Sequence, residues 1–249
     1  MEQDSEHLGR PRGEYGVDAP YVPAVLGAFG LALVVVGVVF AIMRAGTWTV
    51  APMLAGVYFL LSSAVYVHTT RIGKFQVWAG ILLDLGLRGD ERVLDMGCGR
   101  GAVLLRAAQL LPRGRAVGID LWKGVDQSGN SPEATLRNAE LEGVAGRVEL
   151  RTGDMTSMPF EEASFDLVLS SLAIHNIQGA AGRAAAIDEA VRVLRPGGRL
   201  AIADIETTRT YVARLRERGM RDVGRRRLDW RFWYGGPWAA TRLVTARKP

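Results

Sequence analysis

Charged residues divide the chain into two unequal parts. Residues 19–43 and 45–70 contain no Asp, Glu, Lys or Arg, and only Arg44 separates them. A membrane-spanning helix needs about 20 mostly apolar residues, so each stretch is long enough to cross a bilayer. We therefore predict two transmembrane helices within residues 21–70, joined by a tight turn at residues 44–49. A helical hairpin that is buried against the following domain and caps its pocket is the alternative.

After residue 72, short apolar runs alternate with amphipathic segments. The pattern predicts strands at residues 91–96, 115–120, 147–152, 165–170 and 199–204, and helices at 73–85, 101–111, 131–142 and 182–194. Such alternation gives a parallel sheet with helices on both faces. The tail alternates around Gly235 and Gly236, which predicts a closing hairpin.

A glycine-rich turn follows the first predicted strand and carries most of the functional information. The strand ends at Asp95, and Gly97, Gly99 and Gly101 follow at alternate positions. Glycines let a ligand approach the backbone closely, and the next helix offers free N–H groups to a carboxylate or phosphate. The spacing is neither GxGxxG nor GxxxxGK[ST], which disfavours hydride transfer and nucleotide hydrolysis. Asp120 ends the second strand, where an acidic side chain can accept both hydroxyls of a ribose.

Four ordered motifs then support a family resemblance. VLDMGCGRGAVLL, RAVGID, VELRTGDMTSMPF and SFDLVLSSLAIHNI occur in this order, and VLRPGGRLAIADI follows them. Residues 72–249 thereby resemble the class I S-adenosylmethionine-dependent methyltransferases, in particular the small-molecule branch that includes quinone-ring methyltransferases. The resemblance implies a methyltransferase with a Rossmann-like, seven-stranded α/β sheet whose last strand is antiparallel. The implied cofactor is S-adenosyl-L-methionine.

The resemblance also places the cofactor at residues that follow the strands. It assigns the methionine part to Asp95, Gly97, Cys98, Gly99 and Gly101, with Ser170, Ser171 and Leu172 lining that side, the ribose to Asp120, and the adenine to Leu121, Asp154 and Met155. Two alternatives stay open. Asp95 could cap the following helix, and Asp154 could be an ordinary turn residue.

His175 is the candidate catalytic residue, because it follows the fourth strand and an imidazole with a pKa near 6.5 suits a general base. A structural histidine is the alternative, and Asn176 could orient the substrate. The segment after the second strand could also touch substrate; its polar and aromatic members are Trp122, Lys123, Asp126, Gln127 and Asn130. The three histidines and single cysteine show no metal-ligand spacing, so no metal site is predicted.

The remaining charge pattern concerns location and partners. Residues 1–20 are polar and rich in Gly and Pro, which predicts a disordered leader before the anchor (21–70) and the methyltransferase domain (71–249). Arg10, Arg12, Arg71 and Lys74 flank the apolar segments and weakly favour both ends inside the cell. Since S-adenosylmethionine is cytosolic, we expect a two-helix, multi-pass membrane protein with a cytoplasmic catalytic domain.

Residues 206–249 contain twelve Arg or Lys against four Asp or Glu, which indicates either anionic headgroups nearby or a solvated face. Nucleic acid is a disfavoured partner, because no binding module and no Asn/Asp-Pro-Pro-aromatic motif is present. The favoured function is methylation of a small or lipid-like acceptor. The alternatives are methylation of a soluble metabolite or a protein side chain, and a non-catalytic cofactor-binding module. The sequence defines neither the acceptor atom nor the oligomeric state.

Overall fold

The chain begins with a long helical hairpin that stands out from an α/β domain. In the computed structural model, which describes residues 10–249, helix α1 covers Tyr21–Ile42 and α2 covers Val50–His68. A short 3₁₀ turn, Gly46–Thr49, closes the connection between the two helices. The two predicted helices and the tight turn between them are therefore present.

Close backbone contact holds the two helices together. A Cβ atom added to Gly56 would lie 2.7 Å from the carbonyl oxygen of Gly30, so the helices approach each other where both side chains are missing. Small residues serve this purpose in membrane helix pairs. The outer faces are apolar and open, with Val25 63% exposed and Leu54 66% exposed. Only 11% and 17% of the most apolar windows of the two segments is buried, so the hairpin is not a core element of the α/β domain.

Helix α2 does not end at the domain boundary. It passes through one π-helical turn, Thr69–Gly73, into α3 (Lys74–Asp84), so helix continues without a break from Gly46 to Asp84. At the turn a Cβ on Gly73 would overlap the carbonyl of Arg231. The missing side chain of Gly73 therefore lets the two backbone segments lie this close. The helix predicted at residues 73–85 is thus the inner end of the second hairpin helix.

The domain is built on one seven-stranded sheet. Its strands are β1 (Arg92–Met96), β2 (Arg115–Asp120), β3 (Val148–Thr152), β4 (Phe165–Ser171), β5 (Leu194–Asp204), β6 (Arg221–Arg227) and β7 (Arg242–Arg247). The order is β3-β2-β1-β4-β5-β7-β6, and β7 alone runs antiparallel to its neighbours. This confirms the predicted Rossmann-like sheet and its antiparallel last strand.

Helices cover both faces of the sheet. They are α3, α4 (Leu104–Gln109) and α5 (Pro132–Leu141) on one face, and α6 (Gly179–Val193) and α7 (Thr208–Glu217) on the other. The largest differences from prediction are two element starts and one unpredicted helix. Helix α4 begins only at Leu104, because Gly101 at φ +87° still belongs to the glycine turn. Strand β5 begins before Pro196, since a bulge opposite Phe165–Leu167 admits the proline, and α7 is not predicted at all.

The predicted disordered leader is wrong for residues 10–20; residues 1–9 lie outside the described chain. Tyr15 is buried, and its hydroxyl donates to Glu142 Oε1 at 2.9 Å. The same carboxylate forms a fully buried pair with Arg106. Polarity and glycine content predicted disorder, but the backbone amides of residues 12–14 and the Tyr15 hydroxyl donate to Asn138 and Glu142, in α5 and at its end, which lie far away in sequence. Residues 10–19, which we call the strap, therefore pack on the domain.

Candidate active site

The predicted cofactor residues meet at the carboxyl edge of the sheet, where β1 and β4 diverge. A cavity of about 480 Å³ opens there. Strand order reverses between these two strands, and open α/β sheets bind ligands at such a point. Of the predicted residues, those that line the cavity are Asp95, Gly97, Cys98, Gly99, Asp120, Leu121, Asp154, Met155, Ser171 and Leu172.

The glycine turn is shaped by close contacts on both sides. Gly97 has φ +73°, and a Cβ there would overlap the side chain of Ala173. Asp120 fixes the turn from the neighbouring strand, because its Oδ2 accepts from the Gly99 amide at 2.8 Å and its Oδ1 from the Trp122 amide at 2.6 Å. The carboxylate at the tip of β2 therefore faces the cavity in a fixed orientation.

Asp95 carries an unsatisfied charge in this wall. It is 1% exposed, and its Oδ1 has no hydrogen-bond partner among the described residues. Burial raises the pKa of Asp95 to about 7, against a lowering by the hydrogen bond from the Leu104 amide. A buried carboxylate oxygen without a partner is costly, so a cation in the cavity would be bound strongly. The α-ammonium group of S-adenosylmethionine fits this requirement.

Three predicted residues do not line the cavity. Ser170 is fully buried and donates to the carbonyl of Met96, so its assignment to the methionine side is wrong. Gly101 lies behind the turn, against Leu105 and Thr135. Asp154 does line the cavity, although its Oδ1 accepts from the amide and hydroxyl of Thr156, as a turn residue does. The third predicted residue that does not line the cavity is His175, which lies beside it.

His175 forms a dyad that the sequence did not indicate. It lies in the 3₁₀ turn Ile174–Asn176 after β4, and its Nδ1 is 2.5 Å from Asp204 Oδ1 at the end of β5. Tyr211 also donates to Asp204, at 3.1 Å. Burial lowers the pKa of His175, but the hydrogen bond and charge of Asp204 outweigh it and the pKa is raised overall. Asn176, the next residue, lines the cavity.

The opposite wall comes from the strap and the base of the hairpin. Lys74 is 4% exposed, lines the cavity and pairs with both oxygens of Asp18 at 2.8 Å. Asp18 also accepts from Gln127 Nε2 at 3.1 Å and from the Tyr234 hydroxyl at 2.8 Å. Sequence reasoning used Lys74 only as a topology signal and Asp18 only as a boundary. The one sequence clue that these two residues pair was their position, with Asp18 before the apolar segments and Lys74 after them.

The reversed strand order, the glycine turn and the acidic ends of β1 and β2 thus lie together, as the resemblance to the class I S-adenosylmethionine-dependent methyltransferases predicts. The family model described as "Methyltransferase domain" matches residues 94–202 of this chain.

Curated relatives agree with the family. The chain is 33% identical over 133 residues to the ubiquinone/menaquinone biosynthesis C-methyltransferase UbiE of Dinoroseobacter shibae, and 35% identical over 137 residues to the demethylmenaquinone methyltransferase of Beutenbergia cavernae. These matches cover 53% and 55% of this chain and 50% of each relative. The chain thus spans about half the length of the curated relatives it matches.

Solved structures share the fold. Geranyl diphosphate methyltransferase in complex with S-adenosylmethionine superposes with a TM-score of 0.59 at 15% identity, over 76% of this chain and 90% of the other.

Proposed function

We propose that the chain is a membrane-anchored S-adenosylmethionine-dependent methyltransferase whose acceptor is a small, lipid-like molecule. One observation carries the proposal. A single cavity has the cofactor residues Asp95 and Asp120 on one wall and Lys74 on the other, and Lys74 begins the helix that continues α2 into the domain. The reacting centre thus adjoins the base of the apolar hairpin.

The surface of the hairpin supports the anchor. Both helices are long enough to cross a hydrocarbon core of about 30 Å, and their outer faces are apolar. The loop at the tip is short, so both ends of the hairpin lie on the same side as the domain. Because the cofactor is cytosolic, we propose the cytoplasmic side and a two-helix, multi-pass location.

The roles follow from the contacts. Asp95 Oδ1 would accept from the ammonium of the cofactor, Asp120 from the ribose hydroxyls, and the backbone of Gly97–Gly99 would lie against the methionine part. Bound S-adenosylmethionine supplies a methyl group already activated on a sulfonium. The chain then has to orient the acceptor at near-attack distance, exclude water and remove a proton.

Proton removal is proposed for His175. Its Nδ1–H donates to Asp204, which leaves Nε2 as the basic atom, and Nε2 has no hydrogen-bond partner in the described chain. On the opposite wall Lys74 directs Nζ at both Asp18 oxygens, and an ammonium has three N–H donors. The third donor is available to an oxygen on the acceptor. An acceptor with a ring oxygen and an apolar tail would satisfy both walls, and the quinone names of the two curated relatives agree with this class.

The test uses the full chain in lipid vesicles with methyl-labelled S-adenosylmethionine and a total membrane lipid extract. We expect label in the organic phase, and none with Asp95→Leu. Label confined to small molecules of a cytosolic extract would replace the lipid-like acceptor by a soluble metabolite, and label in protein would indicate a side chain. If the chain binds S-adenosylmethionine but transfers no labelled methyl group to any molecule of the lipid or the cytosolic extract, the non-catalytic module is favoured.

A further inference from the structure

An aromatic segment between β6 and β7 lies along the hairpin. Residues 230–239, which we call the aromatic loop, read WRFWYGGPWA. Trp230 stacks on His68 with ring centroids 5.2 Å apart, and Trp238 lies 5.4 Å from the ring of Tyr58. Between them, a Cβ atom added to Gly235 would be in van der Waals contact with Leu26 and Ser62. The loop therefore contacts both hairpin helices.

These contacts fix how far the loop extends along the hairpin. Tyr58 and His68 are ten residues apart on α2, which corresponds to about 15 Å along the helix axis. Trp230 lies at the domain end of α2, and Trp238 lies about half of a 30 Å hydrocarbon core closer to the hairpin tip. Any bilayer that surrounds the hairpin must also meet the loop.

The loop has the chemistry for such a position. Trp230 and Trp238 are 54% and 57% exposed, although they are large and apolar. Much of the backbone is satisfied inside the protein, as irregular backbone at membrane depth requires. Tyr234 N–H donates to Ala239 O, Ala239 N–H donates to Gly236 O, and Arg227 donates to Pro237 O.

Charge favours the same arrangement. Residues 230–249 contain no Asp or Glu, and Arg226 and Arg227 lie shortly before the loop, separated from it by Leu228 and Asp229. Several basic residues of this region are paired within the protein: Arg214 and Arg218 with Asp188, and Arg231 with Asp229. The net basic charge around the start of the loop would favour anionic headgroups nearby.

We infer that the aromatic loop is a third membrane element, which enters the cytoplasmic leaflet beside the hairpin and places Trp238 in its hydrocarbon. The occupant of this surface is lipid. The inference rests on the proposed membrane anchor. Its consequence is a fixed orientation of the domain, with the carboxyl edge of the sheet and the cavity turned to the bilayer, since the loop joins β6 to β7 at that edge.

The test is a nitroxide depth measurement on the full chain in nanodiscs with anionic lipid. Cys98 is 5% exposed and burial raises its pKa well above the usual value, so the parent chain reacts poorly with thiol labels and provides the background. Labels at Trp238→Cys, Leu54→Cys and Glu217→Cys report the loop, the lipid-facing hairpin and a water-exposed helix. We expect Trp238→Cys and Leu54→Cys to be accessible to oxygen, and Glu217→Cys to a water-soluble nickel chelate.

Two outcomes would overturn the inference and leave the anchor intact. One is nickel access at Trp238→Cys with oxygen access at Leu54→Cys; the other is protection of Trp238→Cys from both reagents, which indicates a covering protein or second copy. Nickel access at both sites would instead remove the anchor itself. Equal melting temperatures of the labelled variants and the parent chain establish that each variant is folded.

Discussion

The two walls of the cavity differ in how the chain assembles them. The cofactor wall uses short segments that directly follow β1, β2 and β4, so each residue is placed by the strand before it. The opposite wall joins Asp18 from the strap to Lys74 from α3, 56 residues apart, with Gln127 and Tyr234 completing the cluster. Under the proposed roles, cofactor binding would be local to the sheet, whereas acceptor binding would depend on the packing of the strap, the hairpin and the aromatic loop.

The largest expected effect is on the cofactor wall. Asp120→Ala removes two charge-assisted hydrogen bonds to the ribose, each about 1.5 to 3 kcal/mol. We expect the Kd for S-adenosylmethionine to rise roughly 10²- to 10⁴-fold, measured by calorimetry on the solubilised full chain. Asp154→Ala is the matched control and should change the Kd far less, because Asp154 is assigned only to the adenine, whereas Asp120 is assigned both ribose hydroxyls and also holds the Gly99 amide of the glycine turn. Equal losses in the two variants would contradict the ribose assignment.

The next effect separates catalysis from binding. His175→Ala should lower turnover by about 10²- to 10⁴-fold with little change in cofactor affinity, if the imidazole is the base. Near-normal turnover with a lowered melting temperature would identify a structural histidine instead.

The pH profile tests the dyad independently. A base must be neutral, and Asp204 raises the pKa of His175, so activity should fall with decreasing pH earlier than it would for a free imidazole. Asp204→Asn removes the charge and should move this acidic limb of kcat/KM to lower pH. Tyr211→Phe removes one hydrogen bond to Asp204 but keeps the charge, so its limb should move much less. An unmoved limb in Asp204→Asn would exclude His175 as its origin.

Lys74 tests the opposite wall. Lys74→Met leaves Asp18 buried without its cation, and breaking a buried pair costs about 3 to 5 kcal/mol of stability. The double variant Lys74→Met/Asp18→Asn should be more stable than Lys74→Met, as thermal unfolding would show. If Lys74 contacts the acceptor, both variants raise the acceptor KM, while the Kd for the cofactor stays near that of the parent chain. A change in cofactor Kd alone would assign Lys74 to the cofactor wall.

The smallest expected effect on cofactor affinity concerns the connection between the walls. A chain that begins at residue 71 lacks the hairpin and the strap, so it should leave the membrane fraction and still bind S-adenosylmethionine. The truncation should nevertheless weaken the binding. Gln127 still accepts from the amide of Arg100, but it loses its hydrogen bonds to Tyr15 O and to Asp18 Oδ1. The bond to the Tyr15 carbonyl is neutral and the bond to the Asp18 carboxylate is charge-assisted, so their loss corresponds to about 2 to 4.5 kcal/mol, part of which should appear as weaker cofactor binding. Asp18→Ala in the full chain is the control for the strap without loss of the anchor.

The same difference explains what the sequence could predict. The strand-turn-helix units of β1, β2 and β4 are set by local patterns of apolar residues and glycine, and most of the residues expected at the cavity do line it; Gly101, Ser170 and His175 do not. Whether Ser170 points to the cavity or to Met96 depends on the sheet register, which no local pattern states. The Asp204 partner of His175 and the ordered strap depend on contacts between distant segments, and a polar, glycine-rich composition predicted the opposite for the strap.

The uninterrupted helix from Gly46 to Asp84 gives the protein a mechanical property. At 39 residues it is about 58 Å long. One end would lie in the bilayer, and the other places Lys74 in the cavity wall and Trp78 beside it, where Trp78 Nε1 donates to the cavity-lining Ser171 at the end of β4. Helices adjust to bilayer thickness by tilting. If the hairpin spans a bilayer, as proposed, a change in the tilt of this continuous helix would reach the cavity wall, and the thickness of the host membrane would become a variable of the active site.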